Sequence, residues 1–249
     1  MDSRPLWHQP PVNLPLAPEA VHLWRVPLDQ PPDIVARLWQ TLAADERARA
    51  ERFAFTPLRQ RFIVARGALR DLLSRYTGEA PDRVAFTYGA QGKPALVARA
   101  GRADLHFNLS HSESLAVYAV TRAHAVGVDV EHVRPITDRD QIAQRFFAAR
   151  EVAALRALPP ERQLAGFFAC WTRKEAYIKA RGEGLALPLS QFAVAVDPDA
   201  SAALLWVGDD PLEAARWSLG TFAPEEGYAA SLAVRGHGWQ PWYWQFPTA

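Results

Sequence analysis

Carboxylates, lysines and small polar residues are concentrated in three short motifs in the middle of the chain. They span residues 107–112 (FNLSHS), 127–131 (GVDVE) and 171–179 (WTRKEAYIK). The second and third motifs supply oxygen ligands of the kind that a hard divalent cation prefers. The third motif also supplies lysines that can neutralise a phosphorylated ligand. Together they predict Mg²⁺-assisted chemistry on a phosphate group.

The second motif has the alternation of a β-strand. Asp129 and Glu131 would point to one face, with Cα atoms roughly 6.5 Å apart, which suits two carboxylates that grip one cation. Gly127 lies on the same face and would let a ligand approach the backbone closely. The alternative is an amphipathic strand whose polar face meets water, and for an isolated Asp-x-Glu triplet this reading is preferred.

The third motif reads as a helix with a carboxylate inside its apolar face. Glu175 falls among the apolar positions Phe167, Phe168, Trp171 and Ile178. A buried carboxylate needs a partner or a metal ion. The alternative is an ion pair of Glu175 with Lys179 at i,i+4, which is worth only about 0.2–0.5 kcal/mol. That pair would explain an exposed carboxylate better than a buried one.

The first motif reads as a polar turn that follows an extended segment at residues 105–109. Ser110, His111 and Ser112 can bind phosphate oxygens through hydroxyls, imidazolium and backbone amides. His111 can alternatively act as a general base, but a Ser110–His111 dyad is disfavoured because adjacent residues rarely converge on one point. A plain polar turn remains the simplest interpretation of this motif alone.

Composition narrows the class of protein. The 249 residues are 49% apolar and 22% charged, as in ordinary globular proteins, and the formal net charge is only +1. A general nucleic-acid binder would need surplus Lys and Arg. Cys170 is the single cysteine, so no intrachain disulfide can form and an inert core thiol is expected. The N-terminus lacks signal-peptide features, and no apolar run is long enough to cross a bilayer, so we expect a cytoplasmic protein.

Hydrophobic periodicity predicts an α+β protein. The strands at 115–120 and 126–130 read as a hairpin. The tetrapeptide Ser-Leu-Ala-Val occurs at residues 114–117 and again at 231–234. This echo suggests two similar α+β halves, divided near residue 121 and related by a pseudo-twofold. Strands are predicted at residues 21–26, 84–88, 115–120, 126–130, 192–196, 204–207, 215–222, 228–234 and 242–246. Helices are predicted at residues 33–41, 45–53, 58–76, 141–148, 151–157 and 164–179.

The three motifs, in this order and spacing, resemble those of the 4′-phosphopantetheinyl transferases of the surfactin-synthetase-activating (Sfp-like) type. The resemblance extends from about residue 45, through Gly92-Lys93-Pro94, to residues 182–185. It implies transfer of 4′-phosphopantetheine from coenzyme A to a serine of an acyl- or peptidyl-carrier protein. It also implies the family's fold of two α+β halves, here residues 1–121 and 122–249, in a monomer with coenzyme A between them.

The resemblance also implies roles for individual residues. Asp129, Glu131 and Glu175 would hold Mg²⁺, with Mn²⁺ as the alternative, and Glu175 would deprotonate the acceptor serine. Lys174 and Lys179 would neutralise the diphosphate of coenzyme A. The remaining expected contacts to coenzyme A are His111, Ser110, Lys93, Arg66 and Arg49. Glu46 and Glu51 interrupt the basic run around Arg49, where the family often offers cations.

Two other functions stay open on the residues alone. One is a different Mg²⁺-dependent phosphotransfer enzyme, such as a nuclease or kinase, built on the same three carboxylates. The other is a non-catalytic module that binds coenzyme A or a carrier protein. A pure binder need not keep three carboxylates together, so we favour an enzyme, with no nucleic-acid or membrane partner.

Overall fold

A computed structural model describes residues 4–98, 104–122, 124–182, 187–208 and 210–247. The α+β class predicted from periodicity is confirmed. The helices are α1 Pro32–Thr41, α2 Ala44–Glu51, α3 Thr56–Thr77, α4 Arg139–Phe146, α5 Ala149–Ala157 and α6 Pro160–Arg181. The strands are β1 Ala20–Pro27, β2 Phe86–Tyr88, β3 Pro94–Leu96, β4 His106–Ser112, β5 Leu115–Thr121, β6 Val126–His132, β7 Phe192–Val194, β8 Leu204–Val207, β9 Trp217–Phe222, β10 Tyr228–Arg235 and β11 Gln240–Gln245.

Two main sheets carry the fold. The first has the strand order β11-β1-β5-β4, in which β1 pairs antiparallel with β5 and parallel with β11. The second has the order β6-β10-β9 and is antiparallel throughout. Each half also has one short hairpin, which follows its helices: β2-β3 in the first half and β7-β8 in the second.

The two halves repeat one topology. Each begins with a strand, continues through three helices and a short hairpin, and closes with two strands. In the main sheet of each half, the last of these strands lies between the other two: β5 between β1 and β4, and β10 between β6 and β9. The longest helices, α3 and α6, both have 22 residues, begin next to a proline and end at a left-handed glycine, Gly78 or Gly182. The predicted boundary at residue 121 falls between β5 and β6 and stays a prediction. Strand β11 lies in the first sheet although it belongs to the second half by sequence.

The apolar residues form one core per half and a third cluster where the sheets face each other. Trp24 and Tyr118 point toward the helices of the first half, while Val117 packs with Val128 and Leu232 between the sheets. Alternation along β1 and β5 therefore buries both faces of the first sheet. Cys170 is buried in the core of the second half, as expected.

The predicted hairpin of residues 115–120 with 126–130 is wrong. Strand β5 is hydrogen-bonded to β1 on one side and to β4 on the other, so it has no free edge for β6, which pairs with β10 instead. The Ser-Leu-Ala-Val echo also differs from the structural repeat, because Leu115 is the first residue of β5 whereas Leu232 is the fifth of β10. No helix among the described residues is long and apolar enough to cross a membrane.

Candidate active site

The site lies at the seam where the edge strand β4 of the first sheet runs beside the edge strand β6 of the second. Alternate side chains of β4 cross the seam. Asn108 Oδ1 accepts a backbone N–H of β6 at 2.9 Å. Ser110 donates to Asp129 Oδ1 at 2.8 Å, and Ser112 donates to Glu131 Oε2 at 2.9 Å. The serines of the first motif therefore hold the carboxylates of the second.

The first motif lies on a strand, which corrects the expected turn. Alternation sends Ser110 across the seam and His111 to the opposite face, so the disfavoured dyad is absent here. His111 is exposed in the cleft that adjoins the seam. Surrounding protein atoms lower the pKa of its imidazole by desolvation, and the charges of Lys179 and Arg49 lower it further.

Gly127 permits a close contact, but its neighbour is a helix rather than a ligand. A Cβ at this position would lie 2.1 Å from Ala176 O and 2.3 Å from Ala180 N. The backbone of α6 therefore packs directly against β6, which corrects the expectation that Gly127 makes room for a ligand. Because Asp129 and Glu131 share the face of Gly127, this contact turns both carboxylates toward α6.

Helix α6 is buried on most sides in its second half. Glu175 was predicted to lie inside the buried face, and this prediction is wrong, because the side chain is partly exposed. Trp171, Glu175 and Lys179 form its partly exposed stripe at i,i+4 spacing. The Lys179 ammonium donates to Asp129 Oδ1 at 2.6 Å and to Ser110 Oγ at 2.9 Å. One residue from each motif thus meets at this ion pair.

Negative charge at the seam is only partly compensated. Burial raises the pKa of Asp129, an effect that Lys179 opposes, and burial followed by the charge of Asp129 raises the pKa of Glu131 and of Glu175. Asp129 Oδ2 is buried and has no hydrogen-bond partner among the described residues. Among the residues described, however, no group of three or more His, Cys, Asp or Glu side chains is close enough to hold a metal ion as arranged.

A cleft of about 450 Å³ opens beside this ion pair, between α2, α3, the β2–β3 turn and α6. Ser110, Asp129 and Glu131 do not line it, and the first two are reached from it through Lys179. Six of the residues predicted from the sequence do line it: Arg49, Arg66, Lys93, His111, Glu175 and Lys179.

Arg49 and Arg66 form the basic wall of the cleft, and the buried Glu46 holds Arg66 in place. Arg66 pairs with Glu46, donates to Tyr88 Oη at 2.6 Å and lies 4.2 Å over the Phe86 ring. Glu46 also accepts from the buried Arg70 at 2.6 Å. The sequence suggested that Glu46 merely interrupts a basic run, yet the i,i+4 spacing of Arg66 and Arg70 was a signal that one carboxylate could bind both.

Lys174 is the predicted contact that the structure places elsewhere. Its side chain is fully buried, and its ammonium donates to both carboxylate oxygens of Glu151, at 2.7 and 2.6 Å, and to Phe192 O at 2.7 Å. All three ammonium donors are therefore used in the core of the second half. Lys174 cannot neutralise a ligand in the cleft from this position.

Several residues that line the cleft were not predicted, among them Asp45, Tyr88, Gln91 and Asn108. Asn108 was detectable, because it shares the two-residue spacing of Ser110 and Ser112. The others lie on α2 and on the β2–β3 hairpin, far from the motifs in sequence. Residues 183–185, where the resemblance ends, are outside the described residues.

Comparison with known proteins identifies related chains. The 4′-phosphopantetheinyl transferase superfamily model matches residues 125–233, and the model for the N-terminal part of 4′-phosphopantetheinyl transferases matches residues 31–123. The chain is 44% identical over 240 residues to the 4′-phosphopantetheinyl transferase HetI of Nostoc sp. (strain PCC 7120), spanning 96% of this chain and 98% of that protein.

Two further similarities are more distant. The 4′-phosphopantetheinyl transferase Sfp of Bacillus subtilis (strain 168) is 29% identical over 168 residues, which span 68% of this chain and 72% of Sfp. The crystal structure of Thermotoga maritima holo-[acyl-carrier-protein] synthase is 20% identical with a TM-score of 0.36, over 46% of this chain and 64% of that one. The family models and the near full-length match to HetI show that this chain belongs to the 4′-phosphopantetheinyl transferase superfamily.

Proposed function

We propose that this protein transfers 4′-phosphopantetheine from coenzyme A to a serine hydroxyl of an acyl- or peptidyl-carrier protein, which converts the apo carrier to its holo form. Family membership supports this activity, and the cleft beside Glu175 and Lys179 is the site to which we assign it. We further propose that the protein acts as a monomer in the cytoplasm, without a nucleic-acid or membrane partner.

We assign a divalent cation, Mg²⁺ in the first instance, to Asp129, Glu131 and Glu175. The observation that carries this assignment is the buried Asp129 Oδ2, which finds no hydrogen-bond partner in the described part of the chain and is costly to leave unpaired. Carboxylate oxygens are the ligands that Mg²⁺ prefers. The negative charge of Asp129 also raises the pKa of both Glu131 and Glu175. When bound, such an ion would stabilise negative charge on the diphosphate.

The residues of the chain would then divide the remaining work. Glu175 accepts the proton of the acceptor serine. Burial raises the pKa of its carboxyl and so makes it a better base than an exposed carboxylate, while a bound cation would oppose that shift. The serine oxygen forms a bond to the β-phosphorus of coenzyme A, and the bond to 3′,5′-ADP breaks. Lys179 offsets the charge of the diphosphate, as expected for phosphoryl-type transfer, in which positioning and neutralisation dominate.

Binding of coenzyme A would use the walls of the cleft. His111, Arg49 and Arg66 line it and carry or can gain positive charge, so we assign them to the phosphates of coenzyme A. Ser110 would act indirectly, because its hydroxyl already donates to Asp129.

Intact-mass spectrometry of an apo carrier protein incubated with this protein, coenzyme A and Mg²⁺ tests the activity. We expect a gain of one phosphopantetheine that EDTA abolishes. Glu175→Gln should slow transfer by about 10²–10⁴-fold, the usual range for loss of a general base. Glu161→Gln, an exposed change in the first turn of the same helix, is the matched control.

Each negative result has its own meaning. If the Glu175→Gln protein transfers at the unchanged rate, Glu175 is not the base. If folded wild-type protein binds coenzyme A but modifies no carrier from fatty-acid, polyketide or nonribosomal-peptide systems, the non-catalytic binding module becomes the better assignment.

A further inference from the structure

Lysine occurs at only three positions in the chain, 93, 174 and 179. Lys93 lies next to Gly92 in the turn that joins β2 to β3, where the left-handed Gly92 (φ 76°) reverses the chain. Its side chain passes Gly182 and reaches the second half of the molecule. Its Nζ atom lies 2.5 Å from Lys179 O, 3.2 Å from Val126 O and 3.4 Å from Ala180 O.

These three carbonyls match the three N–H donors of an ammonium group. Lys179 and Ala180 are in the last turn of α6, where carbonyls have no partner within the helix. Only the carbonyl of Ile178 receives a bond from the capping residue, Gly182 N, at 2.9 Å. A cation at a helix C-terminus is also favourable for the helix dipole. The Lys93 ammonium therefore completes the end of α6.

The capped end of α6 contains a residue of the proposed active site. The carbonyl of Lys179 is fixed by Lys93, while the ammonium of Lys179 is fixed by Asp129 and Ser110. A shift of the helix end would move the point from which the Lys179 side chain reaches into the seam. The contact also joins the β2–β3 hairpin of the first half to the second half across one wall of the cleft.

We propose that Lys93 is a clamp, a positioning residue that fastens the β2–β3 hairpin to the end of α6 and sets the position of Lys179 for transfer. This role rests on the proposed function. It replaces the expectation that Lys93 contacts a phosphate of coenzyme A, because an ammonium that donates to three carbonyls has no donor left for a ligand.

Side-chain ¹⁵N NMR of the full-length protein labelled on lysine tests the proposal, since only three ammonium signals have to be assigned, by Lys→Arg variants. Saturation with coenzyme A should move the Lys179 signal and leave the Lys93 and Lys174 signals in place. A Lys93 signal that moves on binding coenzyme A, while that of buried Lys174 does not, would show that Lys93 contacts the ligand and would overturn the clamp.

Variants at position 93 separate the same two roles by kinetics. Lys93→Met should lower kcat for carrier modification about tenfold, as expected for loss of charge-assisted hydrogen bonds, and change the Kd for coenzyme A less than about twofold. Lys93→Arg keeps the charge and should restore most of kcat. Thr87→Met, an exposed change on the same hairpin, should alter neither quantity.

Two kinetic results would contradict the clamp. A Lys93→Met protein with unchanged kcat and a Kd raised tenfold would make Lys93 a ligand contact, and one with both quantities unchanged would deny it any role in transfer. If wild-type protein modifies no carrier and its Lys179 signal does not move, the proposed function fails. The NMR comparison needs the wild-type protein and the Lys→Arg variants but not Lys93→Met, so it still distinguishes the clamp from a ligand contact if Lys93→Met is unstable.

Discussion

At the scale of single residues, helix α6 places two adjacent charged side chains, Lys174 and Glu175, in different surroundings. Asp129 and Lys179 meet at the seam, and Glu175 and Lys179 line the cleft beside it, while the roles assigned to them in transfer stay predictions. Lys174 and Glu175 are neighbours on α6, yet one points into the core and the other into the cleft, because successive helical residues differ by about 100°. Which of two adjacent charges is buried depends on packing partners such as Glu151, which lie far away in sequence.

Removing one partner of the buried Lys174–Glu151 ion pair should destabilise the protein more than removing both charges. Lys174→Met leaves the Glu151 carboxylate buried without a cation and should cost about 3–5 kcal/mol of unfolding free energy. Adding Glu151→Gln removes that charge and keeps one of the two oxygens that accept Val194 N and Ala148 N, so the double variant should regain at least about 1 kcal/mol. Urea denaturation of the four proteins in this cycle measures both changes.

A different result would revive the earlier expectation for Lys174. If Lys174→Met kept its unfolding free energy but bound coenzyme A tenfold more weakly, the ammonium would reach the ligand, as the family resemblance implied.

At the scale of elements, the sequence predicted the positions of helices and strands better than it predicted which strands pair in a sheet. Periodicity located α3, α6 and most of the main strands to within about four residues. The two helices each have a regular apolar pattern, a proline at the start and a glycine at the end. It could not predict that β5 pairs with β1 and β4 rather than with β6. A strand buried on both faces, as β5 is, has no alternation to show which neighbours it has.

The contact between β6 and α6 can be tested at its closest point. Gly127→Ala would place a Cβ 2.1 Å from the backbone oxygen of Ala176, so strand and helix must separate. We expect a loss of about 3 kcal/mol of unfolding free energy, the upper end of the usual range for overpacking, because the obstructing atoms are backbone. Transfer should also slow, since Asp129 and Glu175 lie on the strand and the helix that this contact joins. Denaturation midpoints and carrier-modification rates measure the two effects.

The matched control is Gly89→Ala, where the nearest atom would be Lys93 O at an ordinary 3.8 Å. Equal stability of the Gly127→Ala and Gly89→Ala proteins would mean that α6 does not pack on β6 as closely as described.

At the scale of the whole molecule, two halves of equal topology place the site between them rather than in either one. The first half contributes Ser110, His111 and the basic wall, and the second contributes Asp129 and Glu175. The echo in the sequence suggested two halves for a reason that the structure does not support, since the repeated tetrapeptides are not in equivalent positions. The repeat resides in strand order and helix length, which tolerate complete divergence of sequence.

A substitution near the C-terminus can test how far the stability of one half depends on the other. Phe246 follows β11 and is 1% exposed in the core of the first half, although the strands before β11 belong to the second. Phe246→Ala should therefore cost about 3–5 kcal/mol. Hydrogen exchange should quicken first in β1 and α3, and only later in β9 and β10. Trp242→Ala, at a neighbouring position that is 49% exposed, should change exchange little. Faster exchange confined to β9 and β10 would mean that the last residues stabilise the second half, and that the boundary at residue 121 also separates the two cores.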